Sequence, residues 1–246
     1  MSREDSSSLP EPPSRGKARG RQRRRAKQPL SVERIVDKAF EVMAAEGFDA
    51  VTMRRLAQEL GTGPASLYAH VDSKRELDQL IVDRIAAEVT VPDADPERWQ
   101  EQVKECARGL ATAMRRHPGS ARAAMANVPT GENALRTTDS LLAIMLAGGL
   151  QEQVAAWACD LLPLYVTAII FEESLYLQGD PKEAEEFAIR LREYFESVPA
   201  DRFPHLASSA VALTAGEGDD RFEFGLSVLV AGLDAVSRSW PTSKRA

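Results

Sequence analysis

Residues 52–70, TMRRLAQELGTGPASLYAH, constrain the fold more than any other stretch of this chain. Met53, Leu56, Ala57 and Leu60 fall at i, i+3, i+4 and i+7, which lays one apolar stripe along a single helix. Thr52 stands where an N-cap belongs, and Gly61 follows Leu60 where a backbone of positive φ can end the helix. After the turn Gly61-Thr62-Gly63, Pro64 opens a second helix, because its fixed φ and missing N–H are tolerated at the first helical position. Leu67 and Val71 are its apolar anchors.

A helix about two turns long cannot stand alone in water, so this one must dock on neighbours. Docking through Leu67 and Val71 leaves Ala65, Ser66, Tyr68, Ala69 and His70 facing outward, as a helix presented to a DNA major groove requires. The neighbours are legible. Val32, Ile35, Val36, Ala39, Phe40 and Met43 keep helical spacing between a possible Ser31 cap and Gly47. Downstream, Ser73-Lys74-Arg75-Glu76 reads as a capping box before Leu77, Leu80, Ile81 and Ile85.

Thr52-Met53-Arg54-Arg55-Leu56-Ala57, Gly61, Ser66-Leu67-Tyr68, His70 and Lys74-Arg75-Glu76-Leu77 together resemble the N-terminal signature of the TetR family of bacterial transcriptional regulators. The resemblance implies that Thr52, Arg54, Tyr68, His70 and Lys74 lie against DNA, with Thr62, Gly63, Pro64, Ala65 and Ser66 at the start of the recognition helix. Tyr68, His70 and Lys74 would chiefly hold phosphates, which position the protein, while Arg54 and the helix start face bases, which specify sequence. Arginine is the side chain best suited to a two-pronged bond to guanine. The plainer alternatives are that Arg54 and Arg55 are solvated and that Tyr68 is a half-buried core aromatic. Gly63, Pro64 and Ala69 replace larger side chains usual in the tetracycline-repressor branch, which shifts weight to methyl contacts with thymine and to DNA shape.

The net charge of −6 conceals an asymmetry. Residues 1–30 carry nine Lys or Arg against three acids, and eight of the nine lie in RGKARGRQRRRAK, residues 15–27. Such a run cannot build a core and is expected to be disordered when free. Residues 31–90 hold seven basic against eleven acidic side chains, so the groove-facing helices sit in a net acidic segment. Arg21, Arg23, Arg24, Arg25 and Lys27 are therefore candidates for an arm along phosphates or in a minor groove, the alternative being a solubilising tail.

Beyond the proline-bounded segment 92–96, helices are expected near 96–116, 119–126, 131–147, 151–178, 181–197 and 219–238, with a loop around 199–218 and no strand. The predicted fold class is all-α: an N-terminal three-helix helix-turn-helix DNA-binding domain, a connecting helix, and a larger helical ligand-binding and dimerisation domain. The expected divisions are a basic arm at 1–30, the DNA-binding domain at 31–90, the effector and dimerisation domain at 91–240, and a tail at 241–246. Residues 151–178 are apolar nearly all round, and Pro163 within them removes an internal hydrogen bond, which predicts a kink bordering a cavity. Met125, Asn127, Leu142, Trp157, Leu161, Tyr165 and Ile169 are the candidate pocket residues, each of which could equally be core.

RFEFGLSVLVAGLDAV, residues 221–236, resembles the C-terminal helix of the tetracycline-repressor-like regulatory domain and implies a homodimer. In that branch a histidine and a glutamate help bind the magnesium–drug chelate. An ungapped reading places Ala124 at the histidine position, so magnesium–tetracycline is not the expected ligand, and no metal or other cofactor is expected. Glu172 matches a family acid but equally fits a solvated helix position, and His117 fits a helix end.

The chain has only three histidines, His70, His117 and His205, and no nucleophile or phosphate-binding glycine loop can be built around them, so an enzyme is not expected. No apolar leader or uninterrupted eighteen-residue apolar run is present, and the expected location is the cytoplasm with no membrane partner. The expected function is a homodimeric repressor released from a double-stranded DNA operator by a small-molecule effector. The alternatives are a constitutive DNA-binding dimer and a thiol sensor working through Cys106 or Cys159.

Overall fold

Capping and apolar periodicity set the N-terminal helices of the computed structural model, which describes residues 29–125, 127–177, 181–216 and 219–241. Helix α1, Val32–Glu46, starts where Ser31 accepts the Arg34 amide at 3.3 Å and ends at Gly47, whose φ of 85° few other residues adopt at low cost. It buries Ile35, Val36, Ala39, Val42 and Met43. A 3-10 turn, Phe48–Ala50, leads into α2, Met53–Glu59, capped by Thr52 Oγ1 accepting the Arg55 amide at 3.1 Å. Gly61, at φ 61°, turns the chain into α3, Pro64–Tyr68.

Five residues cannot hold a helix by hydrogen bonding, so α3 depends on Leu67 and Val71, both fully buried. Burying one leucine contributes about 1.5–3 kcal/mol, which outweighs what isolated helix propensity can supply over this length. Helix α4, Lys74–Ala86, follows. Ser73 accepts the Glu76 amide at 3.1 Å, and the Glu76 carboxylate returns the bond to the amide of Asp72, one residue earlier than a standard capping box.

The remaining helices are α5, Trp99–Arg116; α6, Ser120–Met125; α7, Glu132–Ala147; α8, Glu152–Leu177; α9, Pro181–Ser197; α10, Pro204–Ser208; α11, Ala210–Leu213; and α12, Asp220–Ser239. No strand occurs among the described residues. Helix α8 is central: α5, α6, α7 and α12 all pack on it, through Val154, Ala155, Ala158, Leu162, Val166 and Ile170. Its segment Glu152–Leu175 is long and apolar enough to cross a membrane by length and composition, but here that apolarity serves packing on several sides. The helix continues through Pro163. Residues 199–218, read from sequence as loop, contain α10 and α11, which are too short to show periodicity although Pro204 opens the first of them.

Helix α4 connects the N-terminal helices with those that follow it. It packs on α1 at one side and on α5, α6 and α7 at the other. At its C-terminal end Glu88 meets His117 Nε2 at 2.5 Å and Arg116 at 3.4 Å, while the His117 ring packs on Phe40 of α1 at 4.5 Å. His117 is thus engaged at a helix end.

Candidate DNA interface and ligand cavity

With Leu67 and Val71 buried, the rest of the recognition segment is left at the surface. Gly63, Pro64, Ala65, Ser66, Ala69 and His70 are exposed, Thr62 is half-buried, and Thr52 and Arg54 flank them in the open. Tyr68 is 48% exposed, which removes it from the core. The surface is continuous because α2 and α3 pack directly on each other through the apolar stripe that the sequence shows.

Three cationic side chains near this surface have different commitments. Arg55 donates to Glu46 from Nε at 3.3 Å and from Nη2 at 2.6 Å and also pairs with Glu59, so its guanidinium is held above its ordinary pKa by the Glu46 and Glu59 carboxylates. Arg54 is exposed and has no ion pair among the described residues. Lys74 pairs with Asp78 and stands 4.4 Å from the centroid of the Phe48 ring, which fixes its ammonium rather than leaving it on a free stem. Burial pushes the Asp78 carboxyl up, against the hydrogen bond from Lys74 that pulls it down. The basic-arm candidates Arg21, Arg23, Arg24, Arg25 and Lys27 lie outside the described residues.

A cavity of about 400 Å³ opens against the opposite side of α4. Val82, Ile85 and Ala86 form its α4 wall, Val89 follows just past the end of that helix, Met114 and Ala124 come from α5 and α6, and Pro163 and Thr167 come from α8. Several of its polar groups offer acceptors. The Thr137 and Thr138 hydroxyls each donate to the carbonyl four residues back at 2.9 Å and so present lone pairs. Pro163 has no N–H for the Cys159 carbonyl, which therefore lacks its usual helical donor beside the cavity. Arg75 and Asp160 carry the charges on the lining, and neither has an ion pair among the described residues.

Of the pocket residues read from sequence, Met125 and Asn127 line this cavity; Leu142, Trp157, Leu161, Tyr165 and Ile169 do not. The reason is the turn of α8. Cys159, Pro163 and Thr167 face the cavity, and two residues of helix separate each from the 157–161–165 stripe, which puts that stripe on the far side. There the Tyr165 hydroxyl donates to the Phe222 carbonyl at 2.9 Å and its ring stacks on Phe222, holding α8 to α12. Trp157 meets Trp240 edge-on at 5.2 Å. Leu142 is half-buried on α7. An apolar helix has no hydrophobic period with which to mark its cavity side, so sequence missed Pro163's neighbours while detecting Pro163 itself.

Ala124, which takes the place of a metal-binding histidine in the sequence reading, lies on the cavity wall. Glu172 pairs with Arg221, and no group of His, Cys, Asp and Glu fit to hold a metal occurs among the described residues. Cys106 and Cys159 are free thiols, both pushed up to about 11 by burial, with Glu105 adding to the effect at Cys106.

An exposed recognition helix joined by α4 to a cavity-bearing helical body defines a helical DNA-binding regulator. The chain belongs to the tetR family: residues 35–81 match the family model described as bacterial regulatory proteins, tetR family, and residues 91–237 match the tetracyclin repressor-like C-terminal domain. It is 43% identical to apo ActR from Streptomyces coelicolor, with a TM-score of 0.78 over 85% of this chain and 99% of that one. ActR in complex with actinorhodin gives 44% identity and a TM-score of 0.79 over 85% of this chain and 97% of that one. The HTH-type transcriptional repressor DrrR1 of Streptomyces coeruleorubidus is 28% identical over 223 residues, 88% of this chain and 82% of that protein. Members of this family are DNA-binding transcription factors rather than enzymes.

Proposed function

We propose that the chain is a homodimeric repressor that leaves its operator when a small, largely apolar molecule carrying hydrogen-bond donors fills the cavity. One observation carries this: the cavity is walled by Val82, Ile85 and Ala86 of α4, the helix that begins at Lys74 beside the recognition surface. A ligand that fits better with α4 displaced depopulates the DNA-competent state by the difference in its affinities. The volume falls within the range of small-molecule sites, and the acceptors on its wall favour hydroxylated ligands. ActR, with its actinorhodin complex, makes actinorhodin the first probe.

Dimerisation is supported by apolar side chains that the protomer leaves uncovered. Trp157 on α8 is 55% exposed and Phe224 on α12 is 71% exposed, with Val228 also exposed one turn after Phe224. Two copies would set recognition helices about 34 Å apart, matching half-sites one helical turn apart. In this reading 31–90 bind DNA, with Thr52, Arg54, Tyr68 and His70 on the duplex, and 91–240 hold effector and partner. Residues 1–30 supply phosphate contacts that the acidic 31–90 segment lacks, 241–246 form a tail, and the protein works in the cytoplasm.

Mobility-shift titration against DNA upstream of its own gene, with and without actinorhodin, tests the proposal. Selective retardation relieved by the ligand is expected. Retardation that no cavity-binding compound relieves, across a thermal-shift screen, would favour the constitutive dimer.

A further inference from the structure

The start of α7 is not capped by a side chain of its own N-cap residue. Gly131 occupies the N-cap position and offers no side chain, leaving first-turn amides without a local acceptor. Asp83, on α4, takes over. Its Oδ1 accepts the Ala134 amide at 3.0 Å, and its Oδ2 accepts Asn133 Nδ2 at 2.9 Å. A Cβ at residue 131 would lie 2.2 Å from Asp83 Oδ1, so glycine is what permits the carboxylate to reach the helix end. A negative charge there also complements the helix dipole.

This contact borders the cavity without lining it, since Ala134 is the one of its three residues that reaches the wall. Val82 and Ala86, adjacent to Asp83 and one turn's reach along α4, line the cavity on one side; Ala134, the residue whose amide is bound, lines it on the other with Thr137. Gln79, one turn earlier on α4, reaches Thr130 at 3.4 Å in the connection that leads to the same helix end. The residue after Asp83, Arg84, pairs with Asp37 of α1 at 3.2 Å, tying the same turn of α4 to the helices that carry the recognition surface. A body that parts α4 from α7 must stretch the Asp83 bonds, and α1 is linked to the turn that moves.

We infer that the Asp83 carboxylate, capping α7 from α4, is the positioning contact that holds the DNA-competent arrangement and that effector occupancy of the cavity breaks. This rests on the proposed function above. By linkage, a contact that favours DNA binding must itself be strengthened by DNA.

The test uses the full chain and a duplex selected from random DNA with the wild-type protein. Asp83→Ala, Asp83→Asn and, as a control, Glu132→Ala at an exposed first-turn acid of α7 are compared by anisotropy titration and by hydrogen exchange at Ala134. Asp83→Ala is expected to bind the duplex about tenfold more weakly, the scale of one lost cap, with Glu132→Ala close to wild type. The Ala134 amide should exchange more slowly in the wild-type DNA complex than in the free protein, and this slowing should vanish in Asp83→Ala. Should Asp83→Ala not fold, Asp83→Asn, which keeps an acceptor and loses the charge, decides, with an expected loss of about threefold. Wild-type affinity in the variant that folds, or unchanged Ala134 exchange on adding DNA to the wild type, overturns the inference while leaving the functional proposal intact. A wild type that binds no duplex overturns both.

Discussion

Arg55 is held by Glu46 through two guanidinium nitrogens, at 2.6 and 3.3 Å, which withdraws it from the surface that its neighbour Arg54 occupies. Adjacent arginines thereby divide, one held by carboxylates in the scaffold and the other left exposed. Arg54→Ala is expected to lower affinity for a selected duplex about ten- to a hundredfold, with no change in thermal midpoint, as loss of a base contact would. Arg55→Ala should lower the midpoint and change affinity less. Paired thermal melts and anisotropy titrations check both, and a reversed pattern would refute the division.

Asp78 restrains Lys74. Its carboxyl is raised chiefly by burial, so the folded state holds a proton more tightly than the unfolded chain, and its contribution to stability declines as pH rises through the window above the ordinary carboxylate value of 3.8. Asp78→Asn should flatten the stability profile in that window. It should also release the Lys74 ammonium toward phosphate, tightening DNA binding about two- to fivefold and steepening the salt slope by up to about one counterion. Urea titrations at pH 4 to 7 and affinities at several salt concentrations supply the readout.

The two-helix reading unit was legible in sequence because each of its boundaries is set locally: Thr52 caps, Gly61 turns, Pro64 starts, and Leu67 with Val71 anchor. What sequence could not show depends on contacts between distant segments. Nothing in the sequence near Lys74 reveals that Phe48 lies under it, and nothing near Gly131 reveals Asp83. The cavity lining was missed for a different reason. Helix α8 is apolar on most sides, so Trp157, Leu161 and Tyr165 looked equivalent to Cys159 and Pro163 until the positions of α12 and α4 told the faces apart.

Both cysteines should be poor sensors. With each thiol pushed up to about 11 by burial, the thiolate fraction near pH 8 falls roughly a hundredfold below that of an ordinary cysteine. Alkylation of the native protein by iodoacetamide is expected to be slower than that of the urea-unfolded chain by about that factor, and mild peroxide should leave DNA affinity unchanged. Rapid modification of Cys159 with loss of DNA binding would revive a redox role.

Removal of residues 1–28 should weaken binding to the selected duplex and reduce its dependence on salt, because eight of the chain's basic residues lie in 15–27. Affinities measured from 50 to 300 mM salt, for truncated and full chains, check this. Parallel salt plots of equal height would assign the basic run to solubility alone.

Selective DNA binding is tested most directly by anisotropy titration of the full chain against a duplex selected from random DNA and a scrambled duplex of the same composition, at physiological salt. Exposed recognition residues on a buried Leu67–Val71 anchor predict a preference of about a thousandfold or more for the selected duplex. Equal affinity for the two would contradict a sequence-reading role for this surface.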